Sequence, residues 1–294
     1  MVRQQVFHQP VLVNEIVRMM VVKDDGVYCD CTVGGAGHLL AMIKHTKNAR
    51  FVGIDCDPQA ILRSQSITAE YRERCILAES DFIYLDLILE KNNIRNVNGV
   101  LFDLGVSYHQ LTTPSRGFSF DQDGALLMRM SPETTSLRDK LRRVDQAELA
   151  RVLRAYGDVR NYRKIARLVF EQRDTLVTTR DLRRVIEEAV PKRYLMKNLH
   201  KVFQALRIWT NDELAKLRQG LDKAFRVLSI RGRLLVISYH SGEDRIVKRF
   251  FRLLKDDGRA LLLHKKVIRP GAEEINSNPS ARSARLRVIE KCVS

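Results

Sequence analysis

Several features of exported, membrane and disulfide-built proteins are scarce or absent in this sequence. Its five cysteines, Cys29, Cys31, Cys56, Cys75 and Cys292, are odd in number and form no C-x2-C pair. Neither a disulfide framework nor a structural metal site is indicated, and a reducing compartment fits. The longest apolar stretches, such as Leu234-Leu235-Val236-Ile237, fall far short of the roughly 18 residues of a membrane span, and no signal-peptide core is visible. A soluble cytoplasmic chain with no membrane partner is expected. Negative charge is in deficit: 35 Asp and Glu face 51 Lys and Arg, a net +16. A field of that sign attracts polyanions, nucleic acid above all, although a solubility surface has the same composition. With 45% hydrophobic residues, the 294-residue chain has material for one large domain or two smaller ones.

Short apolar runs alternate with helical patterns over the first 110 or so residues, the signature of an open parallel α/β sheet. Strands are expected at Gly26 to Thr32, Arg50 to Asp55, Arg74 to Leu77 and Gly99 to Leu104, and helices at His38 to His45 and Pro58 to Arg72. Such repetition implies right-handed crossovers and a doubly wound sheet. From Pro114 the segment PSRGFSFDQDG opens about eighty residues with hardly any strand signal, read as an inserted helical domain over 116–207. Asp145 with Glu148, and Thr178 with Asp181, are placed to start helices there, and Gly157 and Pro191 to close them. The insert holds 21 basic and 12 acidic residues, so most of the excess charge is concentrated in it. A long helix through Thr210 to Leu228 leads into the strand GRLLVISYH, and the runs LLLHKKVI and ARLRVIEKCV are expected to pair as an antiparallel edge. Residues 1–115 and 208–294 thus form the sheet domain.

The chemistry is expected where strands end. The first runs into DCTVGGAGH, whose Gly34, Gly35 and Gly37 let the backbone turn sharply and approach a ligand. Leu40 stands where a G-x-G-x-x-G pattern needs its third glycine, which disfavours a dehydrogenase. Asp55, 18 residues past Gly37 at the end of the second strand, can accept hydrogen bonds from both ribose hydroxyls of an adenosine. Phe82 follows the third strand, where a group contacts adenine or simply fills the core. Asp103 ends the fourth strand beside the topological switch point, and His240 with Ser241 occupies the equivalent end of the fifth. The competing readings are a loop-capping aspartate and a structural histidine.

Taken in order, HQPVLVNE, DCTVGGAGH, GIDCDPQAI, LFDLGVSYHQL, RGFSF, LMRM, FQALRI, ISYHSGEDRIVKRFF and NPSARSARLR resemble one family across nearly the whole chain. It is the bacterial 16S ribosomal RNA cytosine-N4 methyltransferases, the family of ribosomal RNA small subunit methyltransferase H. The resemblance implies a Rossmann-like methyltransferase sheet with a helical insert that recognises RNA. It implies S-adenosyl-L-methionine as cofactor, held by residues matching Ala36, Gly37, His38, Asp55, Phe82, Asp103 and Gln110, with Gly35 in the same glycine turn. Its substrate would be a cytosine of the small-subunit decoding centre, in 16S ribosomal RNA or a ribosomal particle, and family members suggest a homodimer.

The sequence departs from that pattern at Ala36 for glycine, Leu127 for aspartate, Ala125 for proline, Gly242 for leucine and Ser280 for arginine. His200 and Lys201 also sit where the family reads otherwise. Leu127 removes a charge from a loop expected near the substrate and favours the alternative of a non-catalytic RNA-binding assembly factor. In the methyltransferase reading Asp103 accepts a hydrogen bond from the reacting amine and His240 orients the base or receives a proton. The N/D-P-P-Y/F signature of many amino-methyltransferases is missing, so the choice of N4 rests on the resemblance.

Overall fold

The computed structural model describes residues 10–293, so His8 and Gln9 of the first motif lie outside the described residues. Contacts divide the chain into two compact units, Met1–Gly105 with Leu214–Ser294, and Val106–Glu213. The first unit opens with α1 (Val13–Met20), β1 (Val27–Asp30), α2 (Gly37–His45), β2 (Arg50–Asp55), α3 (Pro58–Ile67), β3 (Cys75–Glu79), α4 (Leu85–Lys91) and β4 (Val97–Asp103). The helical unit contributes α5 (Tyr108–Thr112), α6 (Leu137–Arg143), α7 (Gln146–Gly157), α8 (Tyr162–Gln172), α9 (Thr179–Ala189) and α10 (Leu195–Asn211). The sheet resumes through α11 (Glu213–Val227), β5 (Leu228–Ser238), α12 (Ser241–Asp256), β6 (Ala260–Leu262), α13 (Ala272–Ser277) and β7 (Arg285–Lys291).

One seven-stranded sheet runs in the order β3-β2-β1-β4-β5-β7-β6. The first five run parallel to one another, while β7 pairs antiparallel with both β5 and β6. Successive side chains point to opposite faces, so a strand covered on both sides must be apolar throughout. β4 shows this: Val100 and Phe102 pack with Leu89, Leu217 and Val247, whereas Leu101 packs with Ile16, Met42 and Ile43 on the other face. Each such side chain contributes roughly 1.5–3 kcal/mol on leaving water. The chain passes from β1 outward to β2 and β3, then returns to β4 on β1's other side. That reversal opens a crevice at the carboxyl ends of β1 and β4.

Several expectations change in detail. The long helix expected from Thr210 is two helices, because Asp212 sits in the left-handed region at φ 53° and breaks the run. The helix expected to reach Arg72 stops at Ile67, and a 3-10 turn over Ala69–Tyr71 carries the chain on. LLLHKKVI supplies only Leu261 and Leu262 to the three-residue β6; Ile268 makes an isolated bridge to Leu286. β5 starts four residues before Gly232, at Leu228, with a register shift where it meets Val97 and Gly99.

The helical unit packs its own core from residues such as Leu149, Leu153, Ile165, Val185, Leu199 and Val202. Its caps are local. Asp145 accepts from Glu148 N, and Thr178 with Asp181 forms a reciprocal capping box. The close of α7 falls one residue later than expected: Asp158, not Gly157, adopts the left-handed conformation at φ 47°. A short polar side chain tolerates that region. Gly157 has another use, since a Cβ there would stand 2.5 Å from Lys201 O, and its absence lets α7 and α10 approach.

Candidate active site

The glycine run turns at the end of β1 with Gly34 at φ 49° and Ala36 at φ 60°. Alanine at a left-handed position costs backbone energy that glycine would not, yet the conformation is held by Ala36 N donating to Val33 O at 2.7 Å. Gly37 opens α2, and a Cβ there would come within 2.7 Å of the Pro10 ring. Gly35 lies inside the same turn.

Asp55, at the end of β2, ties this turn to the next: Oδ2 accepts from Gly34 N at 2.9 Å and Oδ1 from Asp57 N at 2.9 Å. Burial raises its carboxyl to about 6, against the pull of those N–H groups. Each carboxylate oxygen has two lone pairs, so acceptor sites remain for a ligand's hydroxyls.

Asp103 ends β4 with its backbone N–H donating to Thr32 Oγ1 at 2.6 Å. Tyr239, just past β5, donates its hydroxyl to Asp103 Oδ1 at 2.8 Å. His38 Nδ1 faces Oδ2 at 3.7 Å, while His38 Nε2 lies 2.7 Å from Val11 O. A carbonyl can only accept, so Nε2 carries the hydrogen. Asp30, 1% exposed at the end of β1, accepts from Thr32 N. Burial pushes its carboxyl up to about 7, and His38 moderates the rise. Burial, and next the Asp103 charge, hold the Tyr239 hydroxyl well above the phenol range. Asp30, Asp55 and Asp103 thus stand at the carboxyl ends of adjacent strands, two of them short of the solvation an ionised carboxylate needs.

The remaining expected residues fall as follows. Phe82 opens a 3-10 turn after β3, packs edge-on against Phe102 at 5.2 Å, and touches the bare face of Gly220. Beside it Asp81 pairs with Lys216 at 2.7 Å. Gln110 belongs to the helical unit, where it forms a capping box with Ser107 at the start of α5. His240 lies beyond the end of β5, which stops at Ser238, and is the N-cap of α12. Its Nδ1 accepts from Gly242 N and Glu243 N, and Glu243 Oε2 accepts from His240 N. An accepting Nδ1 places the ring hydrogen on Nε2, 3.1 Å from Glu243 Oε1 but outside hydrogen-bond alignment. Leu127 donates its N–H to Ala125 O, and its carbonyl accepts from Leu137 N.

Tyr239 and Asp30 were not singled out from the sequence. Each is a polar group at the end of an apolar strand and lies inside a quoted motif, Asp30 opening DCTVGGAGH and Tyr239 preceding His240 in ISYHSGEDRIVKRFF, and that position was the available signal. Burial holds the Cys29, Cys31 and Cys56 thiols far above their ordinary range, which removes them as nucleophiles.

A doubly wound sheet with a glycine turn after β1, an acid after β2 and a second acid at the switch point defines the nucleoside-cofactor-binding α/β class. The profile of the MraW methylase family matches residues 5–292. Ribosomal RNA small subunit methyltransferase H of Coprothermobacter proteolyticus is 41% identical over 292 residues, covering 97% of this chain and 96% of that one. The proteins of the same name from Nitrosococcus oceani and Thermotoga neapolitana are 41% and 38% identical, each over 97% of this chain and 96% of their own. The chain therefore belongs to the MraW methylase family, whose methyl donor is S-adenosylmethionine. The carboxylates fit such a group: Asp55 retains acceptor sites for hydroxyls, and the buried acids beside the turn suit a cationic donor.

Proposed function

We propose that this protein methylates the exocyclic N4 amine of a cytosine in 16S small-subunit ribosomal RNA, near the decoding centre. The observation that carries this reading is the identity of about 40%, over almost the full length, to proteins named ribosomal RNA small subunit methyltransferase H. The substrate is that RNA or a small-subunit particle, met in the cytoplasm, with the protein acting as a homodimer. The helical unit, rich in arginine, is assigned to RNA recognition.

S-adenosylmethionine, when bound, supplies an electrophilic methyl group on a sulfonium. Gly35, Ala36, Gly37 and His38 would form its cradle, Asp55 would take the ribose hydroxyls, and Phe82 would flank the base. Gln110 completes the set by the resemblance. Asp103 accepts a hydrogen bond from the cytosine amine and offsets the positive charge that develops on it. Tyr239 fixes the carboxylate for that task by occupying Oδ1. His240 orients the base: with its hydrogen on Nε2, the ring is set to donate rather than to take a proton.

The test is methyl incorporation from tritiated S-adenosylmethionine into small-subunit particles that lack the modification, followed by digestion to nucleosides. Label in N4-methylcytidine is expected. Label in a ribose or at a ring carbon overturns the N4 assignment. Cofactor binding without incorporation points instead to the non-catalytic assembly factor.

A further inference from the structure

The two long helices of the sheet unit treat their cations differently. On α11, Lys216 pairs with Asp81, Lys223 with Asp86 and Arg226 with Asp222, and Arg218 donates to Leu214 O. Every basic side chain there has a partner within the unit. On α12, Arg245, Lys248, Arg249 and Arg252 are all exposed, and none has an ion-pair, hydrogen-bond or aromatic partner among the described residues.

The acids that could have neutralised this face are turned away from it. Glu243 is 2% exposed and spends its carboxylate on the backbone of Tyr239 and His240. Asp244 is held by Arg287 at 2.7 Å and 3.2 Å and approached by Arg285. Val247, Phe251 and Leu254 face the core. Positions 245, 248, 249 and 252 are spaced three and four apart, so they share one face over roughly 10 Å of helix. The stripe starts little more than one turn from His240, which caps the helix beside the strand ends that carry Asp103 and Tyr239.

From this we propose that the outer face of α12 is a second RNA contact, on the sheet unit itself, which grips the phosphodiester backbone of the strand whose base enters at Asp103. The proposal rests on the RNA-methyltransferase reading above. Unpaired guanidinium and ammonium groups in a row fit a line of phosphates and carry no base information. Sequence selection is left to other parts of the protein, and α12 sets the register in which the strand lies across the site.

The experiment measures binding of the full-length protein to deproteinised small-subunit ribosomal RNA over a range of salt concentrations. In the R245Q/K248Q/R249Q/R252Q variant the slope of log K against log salt should fall by about 3, at roughly 0.7 to 0.9 for each phosphate no longer neutralised. Melting temperature and calorimetric affinity for S-adenosylmethionine should be unchanged. K223Q/R226Q, which removes cations of α11 already paired, should leave the slope near wild type. R245K/R249K/R252K keeps the charge and should retain it too. A quadruple variant whose slope matches that of the α11 control overturns the proposal, as does loss of binding in the charge-retaining variant. A wild-type protein that does not bind this RNA and methylates neither it nor the small-subunit particle overturns the functional reading and this proposal with it. A wild type that methylates while the quadruple variant keeps its slope overturns only the second contact.

Discussion

The sheet unit and the helical unit place their polar groups by opposite rules. In the helical unit charge stays at the surface and, where it is paired, is met locally, as in the i,i+4 pairs Arg167 with Glu171 and Arg183 with Glu187 and the caps at Asp145 and Thr178. In the sheet unit buried Asp30 and His38 and half-buried Asp103 and Tyr239 meet at strand ends, brought there from distant parts of the sequence. The first arrangement leaves its surplus cations in water. The second leaves carboxylates that the protein alone does not fully solvate, which is the condition under which a bound cation or hydrogen-bond donor gains most.

Four measurements would break or sharpen this contrast. The largest effect is expected at Asp103: Asp103→Asn keeps the size but removes the charge, and single-turnover methyl transfer should slow by roughly 10² to 10³ while cofactor affinity falls less. A rate near wild type would take Asp103 out of the mechanism. Next, Asp55→Ala should weaken S-adenosylmethionine binding by about 1–3 kcal/mol, roughly ten-fold to over a hundred-fold, by calorimetry.

The third effect is on stability. Asp30 titrates near pH 7 in the folded protein against 3.8 as its ordinary value, and Asp55 near 6. Between about pH 4 and 7 the folded state therefore holds protons that the unfolded chain has released, and stability declines as pH rises. The decline approaches 1.4 kcal/mol per pH unit, roughly, for each full proton. Thermal melts across that window should show the slope, and Asp30→Asn should reduce it to the share of Asp55 below about pH 6 and stabilise the protein at neutral pH. An undiminished slope between about pH 6 and 7 in that variant assigns it to other groups. The smallest effect belongs to the helical unit: Thr178→Ala removes one cap and should cost about 1 kcal/mol of stability in denaturant titrations, with cofactor affinity untouched.

Strand runs, the glycine turn and the caps at Asp145 and Thr178 were legible because each is written in adjacent residues. Apolar periodicity marks a strand, and a Thr-x-x-Asp spacing marks a helix start, whatever surrounds them. The misreadings share a cause as well. Gly157 reads as a helix-closing residue because glycine favours positive φ, but the packing of α7 on α10 needs its missing Cβ, and Asp158 takes the turn. Thr210 to Leu228 reads as one helix because nothing local announces the break at Asp212. LLLHKKVI is apolar enough for a long strand, yet only two residues of that segment, Leu261 and Leu262, join Ala260 in β6 to pair with β7.

The site divides in the same way. Asp55 and Asp103 were singled out because strand ends in this sheet topology are where ligands bind, a rule that the order of elements already contains. The order β3-β2-β1-β4-β5-β7-β6, the hydroxyl of Tyr239 on Asp103, and the burial that lifts Asp30 could be settled only by the tertiary structure. Local patterns depend on neighbours along the chain, and the sequence determines them by itself. Desolvation and hydrogen bonds between strands far apart in sequence depend on which surfaces the fold brings together, and only three dimensions decide those.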